Sequence, residues 1–272
     1  MSINRLIVPQ LLVCAMGLPA VANAAAAIAL PPMEATQIVE KNAVARGGLA
    51  AWRAVQTMSW KGTMGAGGTT YVTVSPAGKM QTKEREEMRL PFTLEFKRPL
   101  KSRLELEFNG QKVVQVYDGA QGWKLRPYLG RTNWDAYSAD ELKQAAAEPG
   151  INGWLIDSAA TGARIESAGT DTVEGNEAYK LKVTPRSGPA RYVWVDGKSF
   201  LDVKVDGEPR KLDGKLHAVV IYQREFKPEH GLLVPHVLET AVKGVRKTQK
   251  IIIDSVLVNP KLDDAQFTKS GT

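Results

Sequence analysis

Short runs in which apolar and polar residues alternate constrain this chain most strongly. Residues 92–97, 103–108 and 179–184 each follow this pattern. Since successive side chains of a β-strand point to opposite faces, each run predicts a strand with one apolar and one polar face. Half-buried strands of this kind are typical of antiparallel sheets. The chain is therefore predicted to be mainly β, with a smaller α component (α+β).

Turn dipeptides separate such runs at regular intervals along the chain. They are Asn109-Gly110, Asp118-Gly119, Glu174-Gly175, Asp196-Gly197 and Asp206-Gly207. Glycine accepts the left-handed backbone that tight hairpin turns require, so each pair marks a point where the chain reverses. This rhythm predicts one large meandering sheet that curls into a barrel or a half-barrel.

Some predicted strands are apolar on both faces. Residues 192–195, 218–222 and 251–253 show no clean alternation. A strand of this kind needs cover on both sides. A helix, a second layer or a bound apolar molecule would each provide that cover.

Helices are predicted in two places: before the first strand, and in one insertion between strands. From Met33, apolar residues recur at helical spacing until Gly47-Gly48, and residues 49–55 predict one further short helical turn. Residues 138–141 have the capping-box pattern, and the helix that follows ends at Pro149-Gly150. Residues 151–156 continue as an apolar stretch without alternation. We expect residues 138–156 to form a lid or plug over an open end of the barrel.

The first 24 residues have the three parts of a secretory signal peptide. Arg5 supplies the positive start, residues 6–21 are apolar, and Ala22-Asn23-Ala24 is a small-x-small cleavage site. A retained membrane anchor is the alternative, but Pro9 and Pro19 interrupt a run that is already short for a membrane span. We expect residues 1–24 to be removed and residues 25–272 to form a single domain, since they show neither a repeat nor a long polar linker.

The cysteine count and the charge distribution indicate the cellular compartment and the classes of partner. The chain has one cysteine, Cys14, which we interpret as part of the removed segment because Val13, not a small residue, precedes it. The mature chain then lacks a disulfide framework and fits a bacterial periplasm. Lys and Arg total 36 against 29 Asp and Glu. This excess is spread along the sequence, so no nucleic-acid partner is expected.

The sequence contains no local catalytic or metal-binding motif. Its histidines, His217, His230 and His236, do not have zinc-protease spacing. There is no Gly-x-Ser-x-Gly elbow and no phosphate-binding glycine loop ending in Lys-Ser or Lys-Thr. We expect no cofactor, no metal and no enzymatic activity. A site assembled from residues distant in sequence would escape this reasoning, so a periplasmic enzyme stays an alternative.

Aromatic and aliphatic residues of the strands and the lid are the candidate ligand-binding residues. They are Phe92, Leu94, Phe96, Leu104, Leu106, Phe108, Trp154 and Trp194. Large apolar side chains could line a cavity of lipid size, or they could simply fill the core of a small barrel. The residues alone leave both interpretations open. The six from the two strands, at positions 92 to 108, are predicted to face one common interior.

Several motifs resemble the outer-membrane lipoprotein-sorting protein family, which includes the LolA-like periplasmic lipoprotein carriers. The first is Lys97-Arg98-Pro99, followed by a strand. The others are residues 116–123, 138–142, 192–196, 222–226, 231–235 and 258–267. Their order and spacing extend the resemblance over nearly the whole mature chain.

This resemblance implies a fold, a ligand and one functional residue. The fold would be a half-open, strongly curved antiparallel sheet with helices as its lid, and its concave apolar face would hold acyl chains. Arg98 matches a position where the family's carriers have a functional arginine, which would hold the lid closed or release it. A surface arginine at a strand end is the alternative interpretation of Arg98.

Together these observations predict a periplasmic, non-enzymatic carrier or binding protein. Its cargo would be a lipid or a lipidated protein, and an inner- or outer-membrane protein would act as donor or acceptor. We expect a monomer. An envelope sensor or interaction module that regulates a membrane partner is the main alternative.

We predict that the exported protein begins at Ala25. A positive start, an apolar run and a small-x-small site direct cleavage after Ala24. N-terminal sequencing of protein recovered from the native host checks this prediction. A mature chain that starts at a lipid-modified Cys14 would contradict it.

Overall fold

The computed structural model describes residues 30–67, 70–74, 78–84, 87–212 and 214–269. The predicted signal peptide and Cys14 lie outside these residues. Within them, strands far outnumber helices, which confirms the mainly β prediction. None of the described helices is long and apolar enough to cross a membrane.

Thirteen of the described strands pair into one antiparallel sheet. Its order is β8-β7-β6-β5-β4-β1-β17-β16-β15-β12-β11-β10-β9, while β2 pairs with β3 and β13 with β14 as separate hairpins. The strands are β1 Thr57–Gly67, β2 Thr70–Val74, β3 Met80–Glu84, β4 Glu87–Lys97, β5 Lys101–Phe108, β6 Gln111–Tyr117, β7 Gly122–Arg126, β8 Arg131–Ala136, β9 Arg164–Val173, β10 Asn176–Thr184, β11 Arg191–Asp196, β12 Asp202–Asp206, β13 Arg210–Leu212, β14 Lys215–His217, β15 Val219–Glu229, β16 Leu232–Val242 and β17 Gln249–Val258.

The helices are short. They are α1 Ala35–Ala45, α2 Leu49–Ala54, α3 Ala139–Ala147 and α4 Ser158–Thr161, with 3₁₀ turns at Pro127–Leu129, Gly150–Asn152 and Asp264–Phe267. Of these helices, α1, α2 and α3 occupy the predicted places, and α4 was not predicted. Ser138 caps α3 by accepting from the Glu141 amide, while the Glu141 carboxylate accepts from the Ser138 amide. The predicted capping box is confirmed.

The sheet does not close into a barrel. β8 and β9 are its two end strands, and the described strands show no pairing between them. Residues 137–163, which we call the lid segment, join these two ends and contain α3 and α4. This arrangement confirms the half-open barrel with a helical lid.

The register of β4 and β5 places their apolar residues on one face. Phe92 lies opposite Leu106, and Leu94 lies opposite Leu104. All four, together with Phe96, pack in or against one core cluster. On the opposite face, Arg103 forms an ion pair with Glu105. The predicted common interior is confirmed for these five residues.

Phe108 is the exception. Its ring packs edge-on against Tyr128, with the ring centroids 5.5 Å apart, and it does not belong to that cluster. Phe108 is the last residue of β5, and Tyr128 belongs to the 3₁₀ turn at Pro127–Leu129.

Two clusters fill the inner face, which is the face that α1, α2 and the lid segment cover. Trp52 of α2 and Val55, the residue after α2, pack against β1, β4, β16 and β17. α1 packs through Ile38 against β10, β11 and β12. Ile156 belongs to the first cluster and Leu155 to the second, so the lid segment enters both.

The outer face of the sheet has its own cover. Phe267, fully buried in the last 3₁₀ turn, packs on Val114 and Val116 of β6. In β11, Val193 faces the inner cluster while Trp194 packs outside with Val173. β11, one of the strands predicted to be apolar on both faces, therefore has cover on both faces.

Candidate functional site

A cavity of about 580 Å³ lies on the inner face beneath the lid segment. Its walls come from α2, from both halves of the sheet and from the lid. The apolar lining residues are Trp52, Trp60, Leu94, Phe96, Leu100, Leu104, Tyr117, Tyr137, Ala145, Pro149, Ile151, Trp154, Val205, Ile221, Pro235 and Leu238. Its size and mostly apolar lining are typical of small-molecule binding sites.

Four of the nine predicted site residues line this cavity. They are Leu94, Phe96, Leu104 and Trp154. The first three project from neighbouring strands, and Trp154 comes from the lid segment. The structure thus brings together residues that lie far apart in the sequence.

Four other predicted residues do not line the cavity. Phe92 is 4% exposed and belongs to the core, and Leu106 packs against that core. Phe108 packs against Tyr128 at the end of its strand. Trp194 lies on the outer face, where its indole N–H donates to Asp171. Because β11 is apolar on both faces, alternation alone does not select which of its faces is the inner one.

Arg98, the ninth predicted residue, connects α2 with the lid segment. Its Nε donates to the Val55 carbonyl at 2.6 Å, and its Nη2 donates to the Trp52 carbonyl at 3.0 Å. Nη2 also donates to Oδ1 of Asn152 at 2.6 Å, and Asn152 is buried in the lid. The pKa of Arg98 is lowered from its ordinary value, because the effect of partial burial exceeds the opposing effect of the nearby Asp157.

Two further ion contacts attach the lid segment. Arg53 of α2 donates from Nε and Nη2 to the two carboxylate oxygens of Asp157, at 3.0 and 2.6 Å. On the β11 side, the Arg191 guanidinium lies 4.8 Å from the ring centre of Trp154. Arg191 also forms an ion pair with Glu208, which lines the cavity.

The first part of the lid is attached to β7. Lys124 pairs with Glu141 of α3, and the Tyr137 ring covers Gly122. A Cβ atom at position 122 would lie 2.2 Å from that ring, so this position requires glycine. Burial raises the pKa of Tyr137 to about 12, and the charge of Glu141 acts in the same direction.

Burial divides the lid segment into a fixed part and a loose part. Leu155 and Ile156 are each 1% exposed. Removing such side chains from a core costs about 1.5–3 kcal/mol each. In α3, by contrast, Ala147 is the one buried residue. α3 therefore has less buried side-chain surface than the Leu155-Ile156 pair, and weakly packed segments open at lower free-energy cost.

One polar cluster in the cavity wall escaped the sequence analysis. Asp202 accepts from Arg46 at 2.7 Å, from Asn42 at 3.2 Å and from Gln223 at 2.9 Å. The available signal was a carboxylate between Leu201 and Val203, inside an apolar run. Nothing in the sequence indicates its partner, since Arg46 follows a helix that is distant in sequence.

The described residues contain no group of three or more His, Cys, Asp or Glu side chains that could hold a metal ion. The buried carboxylate of Asp202 is already surrounded by donors of three residues. What the site presents to a ligand is therefore chiefly apolar surface.

Comparison with known proteins identifies the fold. The chain matches no protein-family model and no curated protein sequence. It resembles the crystal structure of the LolA superfamily protein NE2245 from Nitrosomonas europaea, with a TM-score of 0.56 and 14% identity over 87% of this chain and 98% of that chain.

Two further crystal structures have similar scores. A proposed outer membrane lipoprotein-sorting protein domain from Vibrio parahaemolyticus has a TM-score of 0.54 and 12% identity, covering 86% of this chain and 95% of that chain. A DUF1329 family protein from Desulfovibrio piger has a TM-score of 0.54 and 14% identity, covering 86% of this chain and 97% of that chain. At such identities the likeness is one of fold.

We predict that the Arg53 contact keeps the Asp157 carboxyl ionised to unusually low pH. Hydrogen bonds from Arg53 lower the pKa of Asp157 from its ordinary value of about 3.9. The contact therefore stabilises the lid fully at pH values above the ordinary pKa. This stabilisation is lost as the pH falls through the lowered pKa. In the Arg53→Gln variant, the midpoint of the Asp157 carboxyl titration, followed by NMR, should move to higher pH.

Asp264 is the matched control for this titration. Lys101 and Lys97 lower its pKa, and Arg53 is not among the causes, so it should titrate alike in both proteins. An Asp157 midpoint that does not move in Arg53→Gln would contradict the prediction.

Proposed function

We propose that this chain, which has the LolA-type fold, binds the acyl chain of a lipid or a lipidated protein in its inner cavity. The observation that carries the proposal is an apolar cavity of about 580 Å³ between the two halves of an unclosed sheet and its lid. An acyl chain exposed to water costs about 0.8 kcal/mol for each CH₂ group, so a soluble carrier must cover it.

The walls suit an acyl chain better than a polar substrate. Leu94, Leu104 and Leu238 supply flexible aliphatic surface, and Phe96 and Trp60 supply flat aromatic surface. None of these five side chains is fully buried by protein, so a ligand would complete their burial. Burial of this apolar surface would drive binding without any directional contact.

The lid contacts suggest how a ligand would enter and leave. α3 has little buried surface, whereas Leu155 and Ile156 fix the later part of the lid segment. Asn152 lies between these two parts and bonds to Arg98. In this proposal, movement of α3 opens the cavity, and the Arg98–Asn152 contact resists the spread of that opening into the core.

The same proposal includes a place and a partner class. The predicted signal peptide would deliver the chain to the periplasm, where the carrier would act as a monomer between a membrane donor and a membrane acceptor. An enzymatic role finds less support, because Asp202, the buried carboxylate of the cavity wall, is held by Arg46, Asn42 and Gln223.

Native mass spectrometry of the protein purified from its own host tests the proposal directly. We expect co-purifying species with the mass of a lipid or a lipidated protein. In a Leu238→Trp variant, the larger side chain fills part of the cavity, so a fluorescent fatty-acyl probe should bind at least tenfold more weakly. Leu257→Trp is the control, since Leu257 is 48% exposed and does not line the cavity.

Equal probe binding by both variants and by the wild type would refute the cavity as the binding site. A tightly held protein partner without any lipid would instead favour the sensor or interaction module.

We predict that removal of the Arg98–Asn152 contact speeds ligand exchange. Hydrogen bonds to charged groups contribute about 1.5–3 kcal/mol, so Arg98→Leu or Asn152→Ala should raise the probe release rate roughly tenfold or more. Stopped-flow transfer of the fluorescent probe to vesicles measures this rate.

Arg89→Leu is the control with the same substitution, because Arg89 is exposed on β4, the strand that Arg98 follows. Circular dichroism verifies the fold of each variant. Unchanged release from Asn152→Ala, in a protein that still binds the probe, would remove Arg98 from the mechanism and leave the cavity proposal standing.

A further inference from the structure

Two chain reversals lie side by side at one end of the sheet. They are the β13–β14 hairpin, residues 210–217, and the β16–β17 turn, residues 243–249, which together we call the basic tip. His217 Nδ1 lies 2.9 Å from the Lys243 carbonyl, and the Lys243 amide donates to the Ala218 carbonyl at 2.8 Å. Arg210 donates to Gln249 at 2.7 Å. These contacts make the two reversals one surface.

The basic tip concentrates positive charge. Its cationic residues are Arg210, Lys211, Lys215, Lys243, Arg246 and Lys247, all of them exposed. The one acidic residue in these two segments is Asp213, which lies outside the described residues. The two segments therefore contain six cationic residues against one acidic residue, in a chain whose net charge is +7.

Exposed apolar side chains accompany this charge. Leu216 is 75% exposed and Val245 is 42% exposed. Each lies among cationic residues, Leu216 directly after Lys215 and Val245 directly before Arg246. Neither belongs to one of the core clusters of the described residues.

We propose that the basic tip docks this protein on the surface of an anionic phospholipid bilayer. Lysine and arginine are attracted to the negative surface potential, and exposed apolar side chains enter the boundary between headgroups and acyl chains. Nucleic acids and acidic proteins would also attract the charge. The exposed Leu216 and Val245 favour lipid, because a phosphate backbone offers them no apolar partner.

The tip is connected to the cavity through a short stretch of chain. Glu208 lines the cavity and precedes Arg210 by two residues. Arg191 pairs with Glu208 and lies over Trp154 of the lid segment. Docking would thus bring this side of the cavity near a membrane. The docking itself goes beyond the carrier proposal and does not depend on it.

Vesicle co-sedimentation of the purified protein tests the docking. We expect binding to vesicles that contain phosphatidylglycerol, weak binding to pure phosphatidylcholine, and a loss of binding as salt increases. The Lys211→Gln, Lys215→Gln, Arg246→Gln triple variant should partition on the order of 100-fold more weakly, since each charge contributes about fivefold. Leu216→Ser should weaken binding with all charges retained.

The matched control is the Lys112→Gln, Lys143→Gln, Lys198→Gln triple variant. It removes the same charge from exposed lysines elsewhere on the molecule. An equal loss in both triple variants would show general electrostatic attraction and overturn the proposal. Equal binding to phosphatidylcholine vesicles, or a tip variant that loses DNA or an acidic protein but keeps vesicles, would also overturn it.

The same variants separate docking from ligand binding. Fatty-acyl probe binding in solution should be unchanged in the tip variants, because none of the substituted residues lines the cavity. Failure of vesicle binding with normal probe binding therefore refutes the docking alone. Failure of probe binding in the wild type refutes the carrier proposal alone.

Discussion

The buried ion pair between Arg46 and Asp202 is the interaction on which the arrangement of helices and sheet depends. Their side chains are 6% and 4% exposed, and the charged atoms lie 2.7 Å apart. Buried charges are tolerated only when their remaining hydrogen-bonding capacity is satisfied. Asn42 and Gln223 provide further donors to Asp202, so α1, β12 and β15 are held in one relative position.

A chain of contacts also connects the Arg46–Asp202 pair, at the end of α1, to the lid segment. The Trp52 indole donates to the Arg46 carbonyl at 2.9 Å, which places α2 against the end of α1. The Trp52 carbonyl then accepts from Arg98, and Arg98 donates to Asn152 in the lid. A buried charge pair, a cavity wall and the lid are therefore parts of one network. Arg46, Trp52 and Asp202 of this network line the cavity.

The same structure combines a fixed frame with one loose element. The frame is the sheet, α1, α2 and the buried Leu155-Ile156 pair, and the loose element is α3. The proposed carrier role would require both, since the frame would keep the apolar cavity open and movement of α3 would admit a ligand. The basic tip lies at one end of this frame, and none of its cationic residues lines the cavity.

Local features of this protein could be determined from the sequence, and long-range ones could not. Alternation predicted the strands β4, β5 and β10, and the capping-box pattern at residues 138–141 predicted the start of α3. Both features depend on neighbours within a few residues. Strands without a clean pattern, such as β1, were not predicted. Only the tertiary structure paired Arg46 with Asp202 across 156 residues, turned Trp194 outward and assembled the basic tip from two distant turns. Those outcomes depend on strand register and sheet curvature, which arise from the packing of the whole chain.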